Sequence, residues 1–262
     1  MKAGYACAEI TPESGLRLNG FVSRCQRPST GIDDPLCLQA LAVEQDDILV
    51  LLLVFDLLGL GPEITRQIEK ALSDVTAALG LRPQIQLLCT HTHSAPVTVT
   101  LLGCGSLDLP YGKFLSERAA SVASEALSRL RPATIRMTEI SLPGESHNRR
   151  RIYADGSVGM SPDSKRHPVR VGPTLDQAVL VRFDDENGEG MAGFIHWAAH
   201  PVTVCSQQIS ADYPGELCRR LSAQFEMPFV FLQGAAGNLN PPFRAMTREE
   251  MLGNVDRLMA KL

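Results

Sequence analysis

"ILVLLLVFD", residues 48–56, is a run of eight apolar residues closed by a carboxylate. Its length and its near-total lack of polar residues suit a central β-strand covered on both faces. The preceding "CLQALAVE", Cys37–Glu44, reads as a second strand, separated from the first by the turn signal "QDD". Working outward, Pro62–Leu79 carries helical periodicity through Ile64, Ile68, Leu72, Val75 and Leu79, with Gly80 as a stop. Ile85–Cys89 is the next buried strand, Tyr111–Leu130 a helix and Thr134–Ile140 a strand. Residues 144–173 form a long polar segment. Gln177–Phe183 and Met191–Ala198 flank the turn "DDENGEG", and then come a helix at Tyr213–Phe225, a short strand at Phe229–Leu232 and a closing helix at Thr247–Leu262. Strands alternating with helices imply an α/β protein with a layered mixed sheet flanked by helices, organised as a single domain over residues 1–262 with no internal repeat.

Composition narrows the function classes. A net charge of −4 and a pI near 5.9 argue against a nucleic-acid-binding surface, and "HNRRRIY" holds only three consecutive arginines. The N-terminus lacks an apolar core of signal-peptide length, and "DILVLLLVFDLLGLG" is interrupted by Asp56 and too short for an integral membrane span. Seven cysteines without a CxxC pair read as reduced thiols, so a cytoplasmic location is expected.

Polar residues gather where the strands end: Asp56 after Phe55, His91 and His93 after Cys89, His200 after the strand from Met191, and "QGAAGNLNPP" after Leu232. Ligand crevices of α/β sheets lie beyond strand C-termini, so four such endings point to a site. If the strand through Cys89 continues, His91 and His93 share a face with Cα atoms roughly 6.5–7 Å apart, close enough to converge on a metal ion or to cap a loop. His196 and His200 would be roughly 13 Å apart on a strand, which leaves His200 as the ligand candidate and His196 as a core histidine. Asp56 needs a cation, a metal or backbone donors if it is buried. Asp212 reads as a helix N-cap, with Pro214 in the first turn, or as a ligand. Arg149 alone reads as a solvated charge. The glycine loop 234–237 lacks the P-loop pattern but can offer backbone N–H groups to an oxyanion, no GxSxG elbow occurs, and Cys89 reads as core. Leu101–Gly112 suits either a pocket rim or an ordinary loop.

Several ordered motifs resemble the neutral/alkaline non-lysosomal ceramidase family: "AGYACAEITP", "LNGF", "GIDDPLCLQALAV", "LLLVFDLLGL", "THTHSAP", "VGPTLDQAVLVRF", "HWAAHPVTV" with "ISADYPGEL", and "VFLQGAAGNLNP". The resemblance implies a ceramidase-like catalytic domain that uses one zinc ion per chain to activate a water against an N-acyl, ceramide-like amide. Its substrate would be a small-molecule or lipid-like amide. By the same resemblance His91 and His200 would bind the metal, His93 would stabilise the oxyanion or shuttle a proton, and Arg149 would line the site. The family carries an aspartate and a serine in the loop where this chain has Gly237, Asn238 and Asn240, the asparagines replacing them. The family's remaining ligands, a glutamate and a tyrosine, lie beyond the matched region. Asp56, Asp212 or water would then complete the shell, or the chain is a truncated domain. The alternative is a catalytically degenerate ligand- or partner-binding domain with an incomplete metal site.

Overall fold

The computed structural model describes residues 1–24, 27–101, 105–160, 166–242 and 247–262. Eight long strands and four helices make two mixed sheets, where the sequence suggested one. In the first, β1 (Lys2–Glu9), β2 (Cys37–Gln45) and β3 (Ile48–Phe55) run antiparallel in turn. Helix α1 (Pro62–Ala78) then crosses over to β4 (Gln84–Cys89), which lies parallel to β3, and α2 (Leu109–Ser128) follows. The second sheet repeats this course. β5 (Thr134–Ser141), β6 (Gln177–Asp184) and β7 (Gly190–Trp197) are antiparallel, and α3 (Asp212–Phe225) crosses to β8 (Phe229–Gln233), parallel to β7. Helix α4 (Arg248–Met259) closes the chain's second half. Each half is therefore β-β-β-α-β-α, a repeat of topology that the sequence, read as free of repeats, does not display.

Side-chain alternation explains the layers. Leu51, Leu53 and Phe55 of β3 bury against Ile64, Ile68 and Leu72 of α1 and against Leu115, Ala119 and Val122 of α2. Each such aliphatic side chain contributes about 1.5–3 kcal/mol on burial. The opposite faces of the two sheets meet through Ala3, Leu41, Val181, Phe183 and Ala192. Outside the second sheet, Ile195, Trp197, Phe229 and Phe231 pack on Tyr213 and Leu217 of α3 and on Met251, Val255 and Leu258 of α4. The order is helix, sheet, sheet, helix. Close approach of β1 to α2 depends on Gly4, where a Cβ would stand 2.2 Å from the Ala126 carbonyl oxygen.

The strand at Ile48–Phe55 forms as its apolar run suggested, and α1 and α2 differ from expectation only at their ends, α2 starting at Leu109 with Asp108 accepting from the Tyr111 N–H. Strand β1 has no counterpart in the sequence reading. Thr247 begins α4 with a capping box to Glu250. Within the polar segment, short strands Arg151–Ile152, Val158–Gly159 and Arg170–Val171 form a small ladder, and His147–Asn148 pairs with Leu239–Asn240. Part of the suggested rim at Leu101–Gly112, residues 102–104, lies outside the described residues, as do Cys25 and Cys104. The five described cysteines are free thiols. Among the described residues no helix is long and apolar enough to cross a membrane.

Candidate metal centre

The parallel pairs β3/β4 and β7/β8 direct their C-terminal ends to one place. Chain following two of those ends, β4 and β7, assembles a cluster of His91, His93 and His200, one ligand nitrogen from each lying within 4.8 Å of the others. The reason differs from strand parity. β4 stops at Cys89, and the backbone turns at His91, whose φ is 71°, in the left-handed region. That turn, held by the His91 N–H on the Leu57 carbonyl at 2.9 Å, brings the His91 and His93 ring centroids to 5.2 Å.

The residues between the histidines tie the two halves together. Thr92 Oγ1 donates to the Ser210 carbonyl at 2.8 Å, the Ser210 N–H donates to the Ser94 carbonyl at 2.9 Å, and Ser94 Oγ donates to the Val204 carbonyl at 3.2 Å. Both Thr92 and Ser94 are fully buried. On the other side of the cluster, the His200 N–H donates to the Leu239 carbonyl at 2.9 Å, so the segment after β8 anchors His200, which itself follows β7.

Hydrogen bonds fix two of the tautomers. His91 Nδ1 lies 2.7 Å from the Leu58 carbonyl and His200 Nδ1 lies 3.1 Å from the Ala236 carbonyl. A carbonyl only accepts, so each Nδ1 carries the proton and each Nε2 keeps its lone pair. Backbone carbonyls hold metal-ligating histidines in this way. His93 Nε2 faces His200 Nε2 at 3.0 Å. Two lone pairs cannot face each other at that distance, so without a cation His93 must donate through Nε2–H. Burial depresses all three imidazoles. His93 is pushed down to about 3 by burial and by the neighbouring His200 and His91. His200 falls to about 4 through burial, with His91 and Arg149 adding to the effect, and His91 is lowered mainly by burial. Three neutral imidazoles so close together are a donor set suited to zinc.

Arg149 reaches the same loop. Its backbone N–H donates to the Asn238 carbonyl at 2.8 Å and its guanidinium to the Gly237 carbonyl at 2.6 Å. Asn240 is buried, paired in register with His147, and its Oδ1 has no hydrogen-bond partner. Asp56 and Asp212 stand outside the histidine cluster. Asp56 Oδ2 accepts the Cys37 N–H at 2.8 Å, and burial raises its pKa to about 7. Asp212 is the first residue of α3, after Ala211 at the N-cap, and the expected side-chain cap is absent. Its carboxylate instead accepts from the Thr203 N–H at 3.0 Å, the Val204 N–H at 3.2 Å, the Tyr213 N–H at 2.6 Å and the Thr203 hydroxyl. The cation or backbone donors that each buried carboxylate required are backbone donors. His196 is half-buried in β7, opposite Val179 and Leu232, and is not in the cluster.

Phe21, Gly20 and Arg24 are site neighbours that sequence reasoning passed over, although "LNGF" lies within a motif already singled out. The Phe21 and His93 rings meet edge-on at 5.3 Å, and the Arg24 guanidinium stacks 4.7 Å from the Phe21 centroid. Arg24 also donates to the His93 carbonyl and, at 3.0 Å, to Ser94 Oγ. Gly20 has φ 99°, and a Cβ there would be 2.5 Å from the His93 ring.

Two solved structures share the fold of this chain. One is the neutral ceramidase from Pseudomonas aeruginosa, at a TM-score of 0.79 and 19% identity, covering 99% of this chain and 44% of that one. The other is a ceramidase complexed with C2, again at a TM-score of 0.79 and 19% identity, covering 99% and 43%. The chain has a neutral ceramidase fold. It spans less than half the length of either ceramidase chain. No family model and no curated protein matches the sequence. The ceramidase-like α/β region expected from the ordered motifs is thus present as a fold, at an identity too low to transfer activity.

Proposed function

We propose that this protein is a zinc-dependent hydrolase cleaving an N-acyl amide, with lipid-like amides of the ceramide type as its substrate class. The observation that carries the reading is the convergence of three neutral imidazoles from two sheets, two of them with Nδ1 committed to a carbonyl. In this reading His91 and His200 hold one zinc ion per chain through Nε2. Bound there, zinc would supply a Lewis acid for the amide carbonyl and lower the pKa of water. His93, with Nε2 3.0 Å from His200 Nε2, holds or delivers a proton beside the reacting amide, or serves as a third ligand. Arg149 offers its charge to the carbonyl oxygen of the substrate as negative charge develops. Asp56 and Asp212 support the framework and leave the shell to water or to further chain. Free thiols at all five described cysteines support placing the protein in a reducing, cytoplasmic compartment.

A second reading, a catalytically degenerate ligand- or partner-binding domain, is favoured by Asn240, which stands where the resemblance expects a serine. The test is turnover of short- and long-chain fluorogenic N-acyl amides by zinc-loaded protein. Turnover removed by a chelator and restored by zinc supports the hydrolase. Bound zinc with no turnover of any amide leaves the binding domain.

A further inference from the structure

The small ladder of Arg151–Ile152, Val158–Gly159 and Arg170–Val171 combines two kinds of exposed side chain. Part of its exposed surface is apolar: Val158 is 61%, Met160 48%, Val169 66% and Val171 43% accessible. It is also basic. Residues 147–171 hold five arginines and one lysine against two aspartates, four net positive charges in a chain of net charge −4, so the remainder carries −8. Arg166 pairs with Asp155 at 2.9 Å and stacks 3.8 Å from the Tyr153 ring centroid, which braces the ladder. Among the described residues, Arg150, Arg151 and Arg170 form no ion pair.

Register places charge and apolar surface on one face. Val158 and Arg170 flank Ile152 there, and Arg150, two residues before Ile152, shares that side, while Arg151, Gly159 and Val171 take the other face. A charge run alone would be a solvated face, and exposed valines alone would suit a protein contact. The combination matches an anionic lipid surface, where guanidinium groups meet headgroup phosphates and short apolar side chains enter the acyl boundary. The base of the ladder leads directly to the site. Asn148 pairs with Leu239, whose carbonyl receives the His200 N–H, and Arg149 is fastened to Gly237 and Asn238.

We propose that the exposed ladder formed by residues 150–160 and 166–171 docks on an anionic lipid bilayer and holds the histidine cluster at the membrane surface. The purpose of that docking rests on the hydrolase reading, since a lipid-like amide resides in the bilayer; the binding itself requires no turnover.

The experiment is co-sedimentation of the full chain with large vesicles of phosphatidylcholine, with or without phosphatidylserine, at physiological salt. Wild type is expected to bind the phosphatidylserine vesicles and not the neutral ones. Arg150→Gln with Arg170→Gln should weaken binding by about 25-fold, roughly fivefold for each charge. Val158→Ser, on the face of Arg150 and Arg170, should weaken it independently, and unchanged melting temperatures would show both variants folded. Equal binding to the two vesicle types, or wild-type binding by the arginine variant, would overturn the proposal. So would arginine-dependent binding to an oligonucleotide with none to vesicles. Turnover of a soluble short-chain N-acyl amide separates the two claims. Its absence from a wild type that still binds vesicles defeats the hydrolase reading and leaves the docking surface standing.

Discussion

Replacing Asp212 by alanine tests whether this carboxylate belongs to the framework or to the metal shell. Its oxygens receive three buried backbone donors, from Thr203, Val204 and Tyr213, besides the Thr203 hydroxyl. Each buried donor left without a partner costs about 1–3 kcal/mol. Asp212 also sits at φ 58°, which aspartate tolerates better than alanine, adding about 1 kcal/mol. Burial raises the Asp212 pKa, so the carboxylate carries a desolvation cost of its own that its removal returns. The net loss should therefore fall in the lower half of what these costs add up to, about 4–7 kcal/mol. Urea unfolding followed by circular dichroism measures it as a lower midpoint at unchanged slope. Zinc content of the folded variant should match wild type. A loss below about 1 kcal/mol, or full stability with zinc gone, would refute the framework role and make Asp212 a ligand.

Other substitutions probe separate parts of the account. Gly20→Ala should press a Cβ into the His93 ring and weaken zinc binding by roughly 10–100-fold, read by competition with a chromogenic chelator; unchanged affinity would mean that the ring is not held there. Arg149→Ala should lower kcat on an N-acyl amide by about 10²–10³ while zinc content is kept, and a loss of metal instead would assign Arg149 a structural role. Asp56 titrates near 7 in the folded chain and near 4 unfolded, so between those values only the unfolded chain gives up its proton, and stability falls as pH rises. Asp56→Asn keeps an acceptor for the Cys37 N–H and should flatten that fall; identical urea midpoints against pH in both proteins would contradict it. The histidines act in the opposite direction: their depressed pKa values make stability drop as pH falls below about 6.5, where the unfolded chain takes up protons first.

The strands and helices built from long apolar patterns were legible because their signal is local. Ile48–Phe55 could be little but a buried strand, and the α1 spacing of Ile64, Ile68 and Leu72 could be little but one buried helix face. β1 was not legible because Ala3, Gly4, Ala6 and Ala8 give a weak apolar signal, and its reason to form is the pairing with β2, whose partners lie 28 to 42 residues away. The repeated topology stayed hidden because its halves share strand order and not side chains: "ILVLLLVF" in β3 corresponds to "GMAGFIHW" in β7. At the site, the histidine spacing pointed to a cluster, but the turn at His91 and the links from Thr92 and Ser94 to residues 204–210 exist only once the halves meet. Asp56 and Asp212 could be read as carboxylates in need of partners. Which partners they find depends on the backbone of Cys37 and of residues 203–204, whose proximity no local pattern records.

The most direct test is elemental analysis of zinc per chain in purified wild-type protein and in the His91→Ala and His200→Ala variants, with folding verified by circular dichroism. The account predicts close to one zinc per wild-type chain and almost none in either folded variant. A wild type that stays metal-free after zinc is supplied, or variants that keep their zinc, would contradict it.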